Sequence, residues 1–393
     1  MRRFRVRRAV AAAVALAAVL GAGGWAADSR TAVTGPPPGS AAWTSDTSLG
    51  LPLPDPATTT PADVAAFFAG LSPDRQDALA VRHPLVVGNL DGAPIGLRYR
   101  ANALALAAER TRELARAADP ALPPQDHEAA RTRAERYRTL LDGGRRILAF
   151  DPRGRGQVAE VYGDLAAARH TAVIVPGSDI DLLDFDRTTD PYGTPAGMAR
   201  ALYAEEQHGD EQHAGEQHAD VQHRATDRQT AVIAWAGYTT PVGLGLDAAT
   251  EDLARAGATR LTRLLDGLAV STHPQAPATV FCHSYGSVVC GLARPTPAQA
   301  SGVVVLGSPG MGVDSAADLD PGVPLWATAR NGSDWIGDVP NVRLLGLGHG
   351  ADPTAPGFGA RPLPATGSHG HTGYFAPGTA SLTAYAAVAA GRA

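Results

Sequence analysis

The sequence predicts an α/β fold: a mostly parallel central sheet flanked by helices, with an N-terminal helical segment ahead of it. Three observations carry this expectation. After residue 144, short apolar runs alternate with stretches of helical periodicity. From residue 170 onward those runs are unbroken, as in parallel strands buried on both faces. Residues 279–289, TVFCHSYGSVV, read as a buried strand, a turn of small residues around Ser284, and a helix start.

Each segment has its own grounds. MRRFRVRR carries five arginines and no acid, and a run of Ala, Val and Leu over 9–22 decays into Gly-Gly-Trp-Ala-Ala. This layout predicts an export signal at 1–26 cleaved after Ala26, with an uncleaved membrane anchor as the alternative. Cleavage would take the net charge from −5 to −10. Residues 27–60, rich in Pro, Gly, Ser and Thr, read as an extended linker. The segment 61–143 is helical in pattern: one helix capped by Thr60 or Asp63 and ended at Gly70, a second over about 98–117, and a third over about 126–141. Between the first two, residues 83–102 read as an apolar, glycine-rich turn.

The core is expected over 144–393. Strands are predicted at 147–150 and 156–163, joined by the hairpin turn DPRGR, then at 171–177, 230–238, 278–284, 302–308 and 324–330. Crossover helices fall at 194–204 and 247–268, and a last helix at about 379–390. An insertion at 204–223 places His208, His213, His218 and His223 five residues apart. Five residues turn a helix about 140° beyond one full face, so these imidazoles spiral instead of converging on a metal. The repeat reads as a solvated, low-complexity insertion.

Composition excludes several chemistries. All 34 cationic side chains are arginine. Without lysine there is no Schiff-base nucleophile, no Walker-type phosphate lysine and no Ser–Lys dyad. The 39 acidic residues, and the lack of a basic patch beyond the first residues, argue against nucleic-acid binding. Cys282 and Cys290 are too few for a disulfide framework. They read as small buried apolar residues, with a bridge between them as the alternative.

The chemistry centres on Ser284. A serine on a strained strand-to-helix turn needs small neighbours two residues to either side, and Gly286 and Cys282 occupy those positions. A reactive serine needs an imidazole base and a carboxylate to orient it, following in the order Ser, Asp, His. Asp334, on a turn beyond the strand PLWATAR, is the candidate acid, with Asp338 its near rival. His371, in the loop GSHGHTGYF, is the candidate base, with His349 and His369 as alternatives. Two backbone N–H donors should face the developing oxyanion: that of Tyr285, and that of Ser178 in the loop after VIVPG, with Asp179 in reserve. The stretch between GSP and PLWATAR is too short for a helical cap. Cover for the site is expected from the 61–143 helices or the 179–229 loop.

Seven motifs occur in order: GNLDGAPIGLRYRAN, VPGS, AWAGY, HSYGS, GSPGMGVD, HGADPTAPGFGA and GHTGYF. Together they resemble an actinobacterial family of mostly exported α/β-hydrolase-fold proteins without an assigned physiological function. The resemblance covers about 61–393 apart from the histidine insertion, and Cys282 stands where the family elbow has glycine. It implies the α/β-hydrolase fold, with Ser284 as nucleophile, Asp334 as acid and His371, three residues before Tyr374, as base. The expected activity is that of a secreted or envelope-located serine hydrolase acting on a small-molecule ester. Alternatives are a peptidase or amidase with the same triad, or an inactive envelope or binding protein. No metal or organic cofactor is implied, and membrane contact is expected only through an uncleaved N-terminus.

Overall fold

The computed structural model describes residues 31–214, 230–272 and 276–393, the side chains of 208–214 excepted. The expected export signal and the four repeat histidines' side chains lie outside the described residues. The α-helices α1 (Ser40–Thr44), α2 (Pro61–Ala69), α3 (Pro73–Arg82), α4 (Pro84–Asn89), α5 (Ile95–Ala117) and α6 (Pro124–Leu141) come first. They are followed by β1 (Arg146–Asp151), β2 (Gln157–Tyr162), β3 (His170–Val175), α7 (Pro195–Ala214), β4 (Thr230–Ala236), α8 (Leu246–Ala249) and α9 (Asp252–Ser271). Next are β5 (Ala278–His283), α10 (Gly286–Ala293), β6 (Ala300–Leu306), β7 (Gly310–Val313), β8 (Leu325–Thr328), β9 (His349–Gly350), β10 (Arg361–Leu363) and α11 (Ala380–Ala389).

Eight strands form one sheet in the order β1-β2-β4-β3-β5-β6-β8-β10, with β1, β2 and β4 paired antiparallel and the rest parallel. Because side chains alternate between faces along a strand, the unbroken apolar runs feed two cores. Val173, Val175, Val280 and Cys282 pack with Leu261 and Leu264 of α9 and Val288 of α10. Ala172, Ile174, Phe281 and Val304 pack with Leu202 of α7 and Tyr385 of α11.

Two stretches read as irregular are ordered. The supposed linker carries α1, whose Trp43 is fully buried and donates its indole N–H to the Pro54 carbonyl at 2.6 Å. Trp43 and Leu53 join a third apolar cluster with Val64, Phe68 and Leu79, burial that offsets the ordering entropy of a Pro/Gly-rich segment. The supposed turn at 83–102 contains α4 and the start of α5, with α3 just ahead of it. Proline stands at the first position of α2, α3, α4 and α6, where its missing N–H costs nothing, so it starts these helices.

The helical segment docks on the β1 edge. Asn102 of α5 donates to the Ile147 carbonyl at 3.0 Å, and Asn89 of α4 both donates to and accepts from the Phe150 backbone. The same segment also meets α9, where Arg263 donates to the Thr59 carbonyl at 2.9 Å, while in sheet order β1 stands four places from β5. Beside the site, Thr372 donates to Asp190 at 2.7 Å, which ties the 179–194 part of the other expected cover to the His371 loop.

Candidate active site

Ser284 joins β5 to α10 and has φ +54°, a left-handed backbone that a non-glycine residue adopts only when its surroundings hold it there. Its N–H donates to the Leu306 carbonyl at 3.0 Å, anchoring the turn to the end of β6. Small neighbours are a steric requirement. A Cβ on Gly286 would lie 2.6 Å from the Val175 and Pro176 carbonyl oxygens, and one on Gly177 would lie 2.5 Å from the Ser284 Cβ. The loop after β3 therefore passes directly against the serine.

Cys282 corrects the reading of the two cysteines. It is bonded to Cys290, with Cα atoms 6.5 Å apart, and both residues are buried. The bridge joins the C-terminal end of strand β5 to α10 on the face shared with Val288. A residue that departs from glycine at the elbow is thus accommodated as half of a covalent clamp around it.

The structure brings Ser284, His371 and Asp334 together. His371 Nδ1 is 2.8 Å from Asp334 Oδ1, and His371 Nε2 is 2.8 Å from Ser284 Oγ. A carboxylate only accepts, so Nδ1 carries the ring proton and Nε2 is left to accept from the serine hydroxyl. Asp334 Oδ1 also accepts from the Ile336 N–H at 3.0 Å, and Oδ2 accepts from the Tyr374 hydroxyl at 2.6 Å. Burial would raise the Asp334 pKa. The hydrogen bonds from His371 and Tyr374, the electrostatic attraction of the His371 ring and the Ile336 N–H outweigh it and hold the carboxyl below its usual range. Burial first, then the bond to Asp334, pushes the Tyr374 phenol well up, so it stays a donor at neutral pH.

The two loops lock each other. Asn331 donates to the Gly370 carbonyl at 2.8 Å, and the Gly370 N–H donates to Ser333 Oγ at 2.8 Å. His283, next to the serine, donates through Nε2 to the His371 carbonyl at 2.9 Å, its ring 4.8 Å from that of His371. Burial first, then the nearby His371, drives the His283 pKa down to about 3, so it is a neutral brace. Trp335, 40% exposed, lies with its ring 4.5 Å from that of His371.

The alternatives are located elsewhere. His349 lies on β9, bonded through Nε2 to the Ala248 carbonyl at 2.7 Å and packed edge-on against the Tyr285 ring. His369 and Asp338 are exposed. The Asp179 N–H is already given to the Pro241 carbonyl at 2.8 Å, whereas those of Ser178 and Tyr285 have no acceptor among the described residues. The loop carrying Ser178 is held by the loop after β4: Tyr238 donates to the Pro176 carbonyl at 2.7 Å, and Thr240 bonds both backbone groups of Ile180. Tyr285 is pinned by its hydroxyl to the Thr250 carbonyl at 2.8 Å.

Sequence reasoning did not assign Tyr374, His283 or the Tyr238–Thr240 loop a part in this site. Their signal was present in the motifs GHTGYF, HSYGS and AWAGY, read there only as a resemblance.

A sequence model described as α/β hydrolase matches residues 151–344, from the end of β1 through the acid-bearing loop. The chain has the α/β-hydrolase fold. It is similar to an uncharacterized protein of Mycobacterium tuberculosis, 28% identical over 399 residues, which cover 86% of this chain and 57% of that protein. A shorter match, 43% over 95 residues, links 23% of this chain to 35% of an uncharacterized protein of Mycobacterium bovis. The chain thus spans a little over half the length of the first of these relatives. Among solved structures, esterase 2 of Thermogutta terrifontis in its apo form aligns with a TM-score of 0.29 and 12% identity, over 58% of this chain and 84% of that one. A likeness of that size adds nothing to the reading of the site.

Proposed function

We propose that the chain is a serine hydrolase that cleaves carboxylic esters through an acyl-enzyme on Ser284. The carrying observation is the continuous Ser284–His371–Asp334 hydrogen-bond line at a strained strand-to-helix turn. In the reading proposed, His371 Nε2 takes the hydroxyl proton as Ser284 Oγ bonds to the ester carbonyl carbon. Asp334, held ionised, stabilises the imidazolium that forms. The Tyr285 and Ser178 N–H groups receive the tetrahedral oxyanion, a single such donor contributing roughly 3 kcal/mol. His371 then returns its proton to the leaving alkoxide as the C–O bond breaks. Water, deprotonated in turn by His371, releases the acid and restores the serine.

The buried Cys282–Cys290 bridge supports an exported protein, since disulfides persist in oxidising compartments. Among the described residues no helix is long and apolar enough to cross a membrane. A mature mass beginning at Ala27 tests cleavage of the expected signal.

The reading is tested with short p-nitrophenyl esters and matching p-nitroanilides. Ester turnover should fall by several orders of magnitude in Ser284→Ala, because the triad members act as a unit. Equal turnover by wild type and variant sinks the proposal, and turnover of anilides alone moves the substrate class to amides.

A further inference from the structure

A cavity of about 280 Å³ lies between the 34–37 turn, the β1–β2 hairpin and α9, away from Ser284. None of Ser284, His371 or Asp334 lines it. Its strand β2 stands three places from β5 in the sheet, about 14 Å at the usual spacing of neighbouring strands.

The lining is unbalanced in charge and in hydrogen bonding. Four arginines, Arg98, Arg153, Arg260 and Arg263, meet two carboxylates, Asp91 and Asp151. Asp91 is taken by Arg98 at 3.0 Å and approached by Arg263 at 3.9 Å, and Arg153 grips both oxygens of Asp151. Arg260 makes no hydrogen bond or ion pair with any described residue, while burial opposes its charge and lowers its pKa. Gln157 projects from β2 into the same space and is 2% exposed, yet neither its Oε1 nor its Nε2 has a partner. Exchanging the amide's oxygen and nitrogen cures neither, so the fault is not one of orientation. Natural folds rarely leave such groups buried without a purpose. Trp235, Ala149, Leu264 and Pro36 supply an apolar wall beside these polar groups.

We propose that this cavity is a binding site for a small organic carboxylate, held by Arg260 and Gln157 with its hydrocarbon part against Trp235 and Leu264. A planar carboxylate matches the guanidinium fork and accepts from the Gln157 Nε2–H, answering the unpaired cation and the unpaired amide together. The apolar wall favours a carboxylate with a hydrocarbon body over inorganic phosphate. The site is independent of the reaction proposed for Ser284.

The test is calorimetric titration of the full chain with sodium benzoate, and separately with inorganic phosphate, at constant ionic strength. Saturable benzoate binding is expected, unchanged in Ser284→Ala and at least tenfold weaker in Arg260→Gln. Gln157→Leu should bind benzoate several-fold more weakly while melting at a higher temperature than wild type, since it removes an unpaired buried amide. That variant keeps the test decisive should Arg260→Gln fold poorly. No benzoate binding, binding of phosphate alone, or affinity unaltered by both cavity substitutions would overturn the proposal.

Discussion

Tyr374→Phe removes one oxygen and no packing. Its hydroxyl gives a 2.6 Å hydrogen bond to Asp334 Oδ2, and the Asp334 side chain is fully buried, so no solvent can replace the donor. Hydrogen bonds to charged groups contribute about 1.5–3 kcal/mol, equivalent to roughly 1–2 pH units in the pKa of the acceptor. The Asp334 pKa, now depressed, should rise by that amount. A depressed carboxyl pKa contributes stability that is present above the unfolded value near 3.9 and is lost as pH falls through the folded value. The variant should therefore lose about 1.5–3 kcal/mol of unfolding free energy at pH 7, and less near pH 3. If 1–2 kcal/mol of the loss reaches the transition state, where an imidazolium forms against the weakened carboxylate, kcat/KM drops about 5- to 30-fold. The fall should sit in kcat, because Tyr374 is buried and away from the substrate. Denaturant unfolding at pH 7 and pH 3, with ester kinetics from pH 5 to 9, measures all of this. Wild-type stability and an unchanged pH–rate profile in Tyr374→Phe would refute the reasoning.

Two further outcomes follow from the same packing. His283 has a folded pKa near 3 against about 6.5 unfolded, so the unfolded chain binds the extra proton between those values. Stability should be full above about pH 6.5 and drain by a few kcal/mol as pH falls towards 3. His283→Gln, which keeps a donor towards the His371 carbonyl, should flatten melting temperature against pH, and parallel curves would count against this. Replacing Cys282 and Cys290 together by serine opens a loop of eight-residue separation, worth about 2.5 kcal/mol in the chain-entropy account. Denaturant titration should show that loss, and stability equal to wild type would show that the bridge does not clamp the elbow.

What the sequence disclosed follows from the range of the interactions involved. The strands ending in Val175, Ala236, His283 and Leu306 were legible because burial on both faces leaves an unbroken apolar run. Ser284, Asp334 and His371 could be named because a tight turn demands Gly286 and because the chain order of the three is restricted. The structure then brought these three within hydrogen-bonding distance, with His349 and His369 elsewhere. What stayed hidden depends on contacts between distant segments. Spacing alone did not say that Cys282 on a strand end and Cys290 on a helix approach to 6.5 Å. Trp43 lay in a segment whose composition resembles a linker, and only its burial against Val64 and Phe68 gives it structure. The strands β7, β9 and β10 have four, two and three residues, too short for any periodicity. The cavity around Arg260 draws on six separate stretches of chain, none carrying a motif for it.

The central claim is that Ser284 is an activated nucleophile, and covalent labelling tests it most directly. The folded protein, treated with a fluorophosphonate probe and examined by intact mass and peptide mapping, should gain one adduct per chain on Ser284. Ser284→Ala should gain none, and His371→Ala should react far more slowly. Wild type that stays unlabelled, or a Ser284→Ala variant labelled as readily as wild type, would contradict the claim.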